Sequence, residues 1–365
     1  MHILFARSGY SPTGGAERYL ARLAGGLKQR NIRTTLLNDG SWPASEWPGD
    51  AITQIPSRTP LEFSNGVAIE RKKHPAAILF SLERIPSADV FRAGDGIHSA
   101  FLQRQAAEEN PFASWFRQQR SFHKSICRLE RELFTENPRL QVICNSALVA
   151  RELQSMFRFP EHRISIIPNG FTPQPWTLEE KNQARQKIRE AHGIPSHAPI
   201  VLFVGSGWRR KGTDTLVSAF KKIAHPSAHL ILVGKGRLHQ RTPSSVHLAG
   251  PVKNPRDYYF AADLFALPTL YDPFSNACLE ASSYGLPVLT TNANGFAEAL
   301  ENFPQAGEII PIPRTAAAWA AALDRWLKIS PDPAAIRPLA ASYSLDLNLS
   351  KTLDLLTSLA TVKSS

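Results

Sequence analysis

Ile200-Val201-Leu202-Phe203-Val204-Gly205 is an unbroken apolar run that ends in glycine, and it predicts a strand followed by a turn. It comes shortly after a polar stretch, residues 171–196, that is rich in Pro, Gln, Glu and Lys. Such a change in composition is typical of the boundary between two domains. We therefore expect one domain to end near Gly170 and a second to begin with this strand.

Short apolar runs alternate with longer helical patterns on both sides of this boundary. The predicted strands are residues 3–6, 34–37, 77–82, 89–93 and 141–144 in the first half, and 200–205, 230–233, 246–248, 264–267 and 288–291 in the second. The alternation indicates an α/β chain whose parallel sheets are covered by helices on both faces. Two Rossmann-like domains, residues 1–170 and 171–345, would present the carboxyl ends of their strands to a central cleft. The leucine-rich residues 346–365 predict a final helix that can pack back on the N-terminal domain.

Composition and charge restrict the class of protein. The 365 residues include 42 Lys and Arg against 31 Asp and Glu, a formal net charge of +11, which favours polyanionic partners such as nucleic acid, anionic lipid or phosphorylated substrates. No apolar run approaches the roughly 20 residues of a membrane-spanning helix, and the N-terminus lacks the pattern of a secretory signal. Three widely spaced cysteines suit reduced thiols better than disulfides or a metal cluster. These features predict a cytoplasmic protein.

The most specific pattern is residues 270–288, LYDPFSNACLEASSYGLPV. Ser275 or Asn276 can cap a helix that a Gly-Leu-Pro sequence then ends, and the start of such a helix binds anions through its free amides and dipole. Asp272 precedes this start, and Glu280 lies inside the helix after seven intervening residues. Carboxylates accept hydrogen bonds from paired hydroxyls, so the two acids suit a sugar and a ribose diol. Two solvated acids at a helix start are the plainer alternative.

The D-x7-E spacing followed by Gly-Leu-Pro-Val resembles the E-x7-E motif of the retaining GT-B glycosyltransferases of family 4. Other family motifs follow in order: Gly14-Gly15 after the first strand, Asn169-Gly170 at the hinge, and Arg209-Arg210-Lys211 after residues 200–205. The resemblance covers nearly the whole chain, and residues 89–95 are similar to the family's lipopolysaccharide core glucosyltransferases. It implies the GT-B fold and retaining transfer of a hexose, with glucose favoured. The donor would be a nucleotide-diphosphate sugar, with a UDP-sugar favoured, and the acceptor a lipid-linked or lipopolysaccharide-core glycan.

The resemblance also implies roles for individual residues, with the acceptor on the N-terminal domain and the donor on the C-terminal domain. The implied catalytic residues are Asp95, Arg210, Lys211 and Asp272. The implied donor-binding residues are Gly14, Gly15, Ser206, Val252, Phe274, Ser275, Asn276 and Glu280. Asp95 would lie on the acceptor side, although the flanking glycines also suit a simple turn. Asp272 and Ser206 depart from the usual Glu and Arg of the family, which bears on the choice of donor.

No cofactor is expected, because the nucleotide sugar is a substrate. The sequence has no D-x-D pair that would hold a divalent ion, so we expect catalysis without a metal. Lys211 and Arg210 would instead stabilise the leaving diphosphate.

The stretch from Gln103 to Phe134 mixes basic and aromatic side chains, which suits a membrane interface that carries anionic lipid. An amphipathic helix packed on its own domain explains the same pattern. Because the resemblance implies a lipid-borne acceptor, we expect peripheral binding to the inner face of the cell membrane. The predicted contacts are Arg117, Arg120, Lys124 and Arg128.

Two other functions fit parts of the sequence. A sugar-nucleotide epimerase on the same frame would need acid/base carboxylates or histidines instead of an acceptor surface. A basic nucleic-acid-binding protein would account for the charge. However, the sequence contains no RNA or DNA module, and its basic residues are dispersed over both halves. We therefore expect a glycosyltransferase without a nucleic-acid partner. No sequence pattern indicates the oligomeric state.

Overall fold

The computed structural model describes residues 1–12, 14–108, 120–329 and 331–364, with side chains up to residue 361. The predicted membrane contact Arg117 lies outside the described residues. The chain divides into two compact units, one formed by Met1–Pro168 with Asp346–Ser365 and the other by Asn169–Leu345. The division falls two residues before the boundary expected at Gly170.

The first unit is built on a seven-stranded parallel sheet. Its strands are β1 (His2–Ala6), β2 (Arg33–Asn38), β3 (Ala51–Gln54), β4 (Ile78–Ser81), β5 (Val90–Ala93), β6 (Gln141–Cys144) and β7 (Ile164–Ile166). Their order in the sheet is β3-β2-β1-β4-β5-β6-β7, so the direction of strand addition reverses between β1 and β4. Phe5 in β1 lies between Leu36 of β2 and Phe80 of β4. Alternate residues of β1 enter two different hydrophobic cores, as expected for a sheet covered on both faces.

The helices of the first unit include one from the far end of the chain. They are Gly15–Lys28, Pro60–Lys72, His98–Glu108, Ser121–Glu136, Ala147–Phe157 and Leu345–Ser364. Leu353 and Leu356 of the last helix are buried in the same core as Leu20 and Leu23. The hydroxyl of Thr352 is 3.3 Å from that of Tyr19. The final helix therefore completes the first unit.

The second unit contains a six-stranded parallel sheet. Its strands are β8 (Ile200–Val204), β9 (His229–Val233), β10 (Val246–Gly250), β11 (Leu264–Leu267), β12 (Val288–Thr291) and β13 (Gly307–Ile310). The order β10-β9-β8-β11-β12-β13 again reverses direction, here between β8 and β11. Its helices are Leu178–His192, Trp208–Lys211, Thr213–Phe220, Arg256–Ala261, Asn276–Ser283, Ala297–Glu301, Ala316–Trp326 and Pro333–Ala341. Short 3₁₀ turns occupy Ala44–Glu46 and Glu161–Arg163 in the first unit and Pro304–Ala306 in the second.

The predicted α/β fold with parallel sheets is confirmed, but β3, β7 and β13 are absent from the predicted strands. All three lie at the edge of a sheet and are three or four residues long. Each carries half-exposed residues, so none forms the apolar run that marks a central strand. Among the helices that the structure describes, none has both the length and the apolar character required to cross a bilayer.

Candidate active site

The loops that follow β8 and β11 meet in the second unit, because these two strands are neighbours where the strand order reverses. Folds of this type bind ligands beyond the carboxyl ends of the strands at such a point. Residues 205–212 follow β8 and residues 268–275 follow β11. Half of the predicted donor and catalytic residues lie in these two loops, namely Ser206, Arg210, Lys211, Asp272, Phe274 and Ser275.

The basic turn after β8 depends on two glycines in left-handed conformations. Gly207, with φ of 74°, precedes the short helix Trp208–Lys211, and Gly212, with φ of 81°, follows it. A Cβ atom on Gly212 would lie 1.9 Å from the carbonyl oxygen of Pro268, the residue directly after β11. Glycine therefore allows the turn to lie against the end of β11 and brings its cations to the neighbouring loop.

Lys211 and Asp272 form a direct ion pair. The Lys211 Nζ atom lies 2.5 Å from Oδ2 of Asp272, and the two side chains are 12% and 9% exposed. Arg210 donates from Nη1 to the carbonyl of Tyr271 at 2.5 Å and lies 4.0 Å from the same Asp272 oxygen. Lys211 and Arg210 thus converge on the carboxylate of Asp272, which brings together three of the four predicted catalytic residues. Because water is largely excluded, each charge of the pair depends on the other for stabilisation.

Asn294, which the sequence analysis did not identify, holds the loop of Asp272 in place. The Asp272 amide donates to the carbonyl of Ala293 at 3.0 Å, and the Gly295 amide donates to the carbonyl of Asp272 at 2.9 Å. The side-chain oxygen of Asn294 accepts from the Ser275 amide at 3.1 Å. Asn294 is 1% exposed. In the sequence it resembles part of an ordinary turn before glycine, so only the fold reveals its role.

Arg314 is a second residue that the sequence analysis missed. Its Nη1 atom donates to the carbonyl of Arg210 at 3.2 Å and to that of Pro268 at 3.0 Å. The side chain therefore joins the basic turn to the end of β11. It comes from a distant part of the chain with no recognisable motif.

The helix Asn276–Ser283 begins where the sequence predicts. Ser275 is its N-cap, and the Ser275 hydroxyl accepts a hydrogen bond from the Cys278 amide at 3.4 Å. The remaining amides of the first turn give this end a partial positive charge. Burial raises the pKa of the Cys278 thiol to about 12, so this cysteine stays neutral beneath the helix start.

Three other predicted donor residues occupy different environments. The Phe274 side chain is 5% exposed and packs against Phe296, so only its main chain could contact a ligand. Ser206 is exposed, and its hydroxyl accepts from the amide of Lys235 at 3.2 Å. Val252 is half-buried and packs against the core of the second unit.

Glu280 accepts a hydrogen bond from a buried tyrosine. The Tyr259 hydroxyl lies 3.1 Å from Oε2 of Glu280, and Tyr259 is 1% exposed whereas Glu280 is half-buried. Burial, and next the negative charge of Glu280, raises the pKa of Tyr259 well above its usual value. The hydroxyl therefore keeps its proton and acts as a donor. In the sequence Tyr259 looks like one more apolar residue of its helix.

In the first unit, Gly14 is the N-cap and Gly15 the first residue of the helix Gly15–Lys28. The φ of Gly14 is −67°, which any residue can adopt. However, a Cβ atom there would lie 1.7 Å from Oε2 of Glu17. Glu17 is 6% exposed and pairs with Arg7 at 3.1 Å. Glycine at this position thus makes room for a buried carboxylate, in addition to any close approach of a ligand.

Asp95 is exposed in the turn after β5. Glu83 follows the neighbouring strand β4 and pairs with Arg7, which follows β1, at 3.0 Å. Burial raises the pKa of Glu83, Arg7 opposes this rise, and the negative charge of Asp95 adds to it. The structure therefore places Asp95 in a charged cluster beyond three neighbouring strands, and the sequence analysis missed Glu83.

Glu130 forms a buried network near this cluster. It is fully buried and accepts from the amides of His98 and Ser99 at 2.8 and 2.9 Å and from Arg84 Nε at 3.0 Å. The His98 Nε2 atom lies 3.0 Å from Nδ1 of His123. Burial, and next the charge of Arg84, lowers the pKa of His98 to about 4. Within the described parts of the chain, no group of three or more His, Cys, Asp or Glu is arranged to hold a metal ion.

The helix Ser121–Glu136 carries part of the predicted membrane-contact set. Ile126, Leu129, Leu133 and Phe134 are buried in the first unit, whereas Phe122 is 54% exposed. Lys124 and Arg128 are exposed as well, as is Arg120 just before the helix. Arg128 Nε lies 2.7 Å from Oε1 of Glu132. Most of the apolar face therefore packs within its own unit, and the exposed side of the helix carries basic side chains together with Phe122.

Known proteins match both halves of the chain. The family model described as Glycosyltransferase Family 4 matches residues 13–174, and the one described as Glycosyl transferases group 1 matches residues 198–328. The lipopolysaccharide glucosyltransferase WaaG of Escherichia coli K12 is 24% identical over 319 residues, which cover 81% of this chain and 82% of the relative. A crystal structure of WaaG matches with a TM-score of 0.78 over 97% of this chain and 99% of that chain. Anabaena HepE in complex with UDP-glucose matches with a TM-score of 0.71 at 17% identity, over 98% of this chain and 100% of that chain.

The fold and these matches define the chain as a glycosyltransferase of the GT-B type. The predictions of fold class and of enzyme are confirmed. The chain is related to the glycosyltransferases of family 4 through the model that matches residues 13–174.

Proposed function

We propose that this enzyme transfers a hexose, with glucose favoured, from a UDP-sugar to a lipid-linked or lipopolysaccharide-core glycan. The observation that carries the proposal is the 2.5 Å ion pair of Lys211 and Asp272 beside the capped start of the helix Asn276–Ser283. A cation, a carboxylate and helix amides are the groups that a sugar diphosphate requires. The names of the lipopolysaccharide glucosyltransferase WaaG and of the HepE complex with UDP-glucose support this donor and this acceptor.

The basic turn would stabilise the leaving diphosphate. During transfer the bond between the anomeric carbon and a diphosphate oxygen breaks, which leaves positive charge on the sugar ring and negative charge on the phosphate. Lys211 and Arg210, together with the first amides of the helix Asn276–Ser283, would stabilise that negative charge without a metal ion. A donor phosphate that draws Lys211 toward itself would leave the Asp272 carboxylate able to accept from sugar hydroxyls.

Transfer would retain the anomeric configuration. The acceptor oxygen attacks from the face that the diphosphate leaves, and its proton passes to the leaving phosphate oxygen as the new carbon–oxygen bond forms. This reaction needs no protein nucleophile. Asp95, exposed beyond β5, would orient the acceptor hydroxyl, and the pair of Arg7 and Glu83 lies in the same charged cluster.

The acceptor would be reached at the inner face of the cell membrane. Lys124 and Arg128 are exposed on one helix, with Arg120 just before it, and such side chains are attracted to anionic headgroups. The first unit would thus bind the lipid-borne acceptor, and the second unit would bind the donor.

The test is to incubate the protein with UDP-, ADP- and GDP-hexoses and truncated lipopolysaccharide, with and without EDTA. We expect acceptor-dependent nucleotide release that EDTA leaves unchanged, and NMR of the product should show the anomeric configuration of the donor. Conversion of the sugar without an acceptor would identify an epimerase. Salt-sensitive oligonucleotide binding without turnover would identify a nucleic-acid-binding protein. Either result would contradict the proposal.

A further inference from the structure

We propose that Tyr259 is a positioning residue for the nucleotide ribose, because its hydroxyl fixes the Glu280 carboxylate in the orientation that binds the ribose diol. This inference rests on the proposed function, in which Glu280 accepts from the ribose. It adds a residue without any charge or motif of its own to the donor site.

The position of the Tyr259 hydroxyl is set by the core of the second unit. The ring stacks on Tyr284 with centroids 5.6 Å apart and planes inclined by 24°, and its centroid lies 6.1 Å from that of Phe265. Tyr259 is 1% exposed. In a close-packed interior such a ring cannot change rotamer without displacing its neighbours. The hydroxyl is therefore a fixed donor.

Two acceptors lie within reach of this donor. Oε2 of Glu280 is 3.1 Å away and the carbonyl oxygen of Ala277 is 3.4 Å away. The carboxylate is both nearer and charged, and hydrogen bonds to charged acceptors are the stronger ones. The single proton of the hydroxyl is therefore directed mainly to Glu280.

A fixed donor matters because glutamate is flexible. Glu280 is only half-buried, and a glutamate side chain loses considerable rotamer freedom when a ligand orders it. A hydrogen bond that orders the carboxylate in advance removes part of that cost from binding. An ionised carboxylate has about four acceptor positions, so it can accept from Tyr259 and from ribose hydroxyls together.

The chain offers a matched control beside Tyr259. Tyr258 belongs to the same helix, Arg256–Ala261, but its ring lies near His192, with centroids 6.1 Å apart. Tyr258→Phe and Tyr259→Phe each remove one hydroxyl and leave the ring in place. Only the second removes a donor to Glu280.

The test measures dissociation constants by calorimetry for whichever of UDP, ADP and GDP binds best, and for its 2′-deoxy and 3′-deoxy analogues. We expect the wild-type protein to prefer the ribonucleotide by about tenfold or more. Tyr259→Phe should weaken ribonucleotide binding about tenfold and reduce the preference to about threefold, whereas Tyr258→Phe should match the wild type. In a Glu280→Ala background, Tyr259→Phe should cause no further loss, because the two residues act as one unit.

A purely structural role for Tyr259 predicts different results. Equal losses for ribo- and deoxynucleotides, or additive losses in the Glu280→Ala background, would overturn the inference. Unchanged binding by Tyr259→Phe would also overturn it while leaving the proposed function intact. If the wild-type protein binds none of the three nucleotides, the proposed donor site itself is wrong.

Discussion

Lys211 and Asp272, which the sequence assigned to different parts of the donor, are each other's partner in the structure, with Nζ 2.5 Å from Oδ2. The pair links catalysis to stability, because both side chains are largely buried and neither charge has bulk water to stabilise it. Substitutions at the two positions therefore need readouts for both properties.

Lys211→Ala should lower the transfer rate at least about a hundredfold, because it removes the main cation expected to stabilise the leaving diphosphate. The measurement is kcat with saturating UDP-sugar and acceptor. Arg209→Ala is the matched control, since Arg209 lies in the same turn with its side chain exposed. It should stay within about twofold of the wild type. Near-normal turnover by Lys211→Ala would remove Lys211 from the mechanism.

Asp272→Asn should destabilise the second unit by about 2–3 kcal/mol, because it leaves the Lys211 ammonium largely buried without a counter-charge. Urea unfolding measures this loss. The double variant Lys211→Met with Asp272→Asn should recover most of the stability, since no unpaired charge remains, yet it should not transfer sugar. A double variant no more stable than Asp272→Asn would show that the pair is not the source of the loss.

Asn294→Ala should destabilise the protein by about 2–4 kcal/mol, because the buried amides of Ser275 and Phe296 both lose the side-chain oxygen that accepts from them at 3.1 Å. Nucleotide binding should weaken as well, since the loop of Asp272 loses its support. Thermal unfolding and calorimetry check the two effects. Asn302→Ala, at an exposed position, should change neither. A stability equal to that of the wild type would contradict the assigned role of Asn294.

His98 should make the stability of the first unit depend on pH. Its pKa in the folded protein is about 4, below the ordinary value of 6.5, so between these pH values the unfolded chain binds a proton that the folded chain does not. The stability contributed by neutral His98 is therefore complete above about pH 6.5 and is lost as the pH falls toward 4.

The loss should be of the order of 1 kcal/mol, since His98 is only partly buried, and Arg84, Glu130 and His123 also face it. His98→Asn should flatten the change in urea midpoint between pH 7 and pH 4.5. His197→Asn, at an exposed histidine, should leave the profile unchanged. An equally steep profile for His98→Asn would rule out this source of pH dependence.

Replacing Arg117, Arg120, Lys124 and Arg128 together with Gln should weaken binding to vesicles that contain anionic lipid, because about 1 kcal/mol is lost per basic residue near the surface. Donor hydrolysis should remain at the wild-type rate. The control replaces four exposed lysines of the second unit, Lys187, Lys221, Lys222 and Lys328, and removes the same charge. Equal vesicle binding by the two variants would contradict a specific membrane surface.

The central strands and the helix start at Ser275 could be predicted from the sequence because their signals are local. Residues such as Ile200 to Phe203 are buried on both faces of a sheet and must be apolar, and a capping serine acts within its own turn. The edge strand β13 could not be predicted, because it has a neighbouring strand on one side only and its residues are partly exposed.

The residues of the candidate site also differ in whether a local pattern or only the fold points to them. Asp272, Glu280 and Lys211 belong to motifs with fixed spacing, so the sequence alone marks them as candidates. Asn294 and Tyr259 act through partners that only the fold brings close, at 3.1 Å in each case. Neither residue type is unusual in a turn or in an apolar helix, so no local pattern could distinguish them.

The helix Leu345–Ser364 means that the first unit is not a continuous segment of the chain. During synthesis on the ribosome, the whole second unit emerges before this helix can cover the apolar surface around Leu20 and Leu23. The second unit can therefore mature first although it is encoded second. A truncation before Asp346 would spare the segment 169–345 and leave the earlier-made unit with an open core, a ready target for chaperones and proteases.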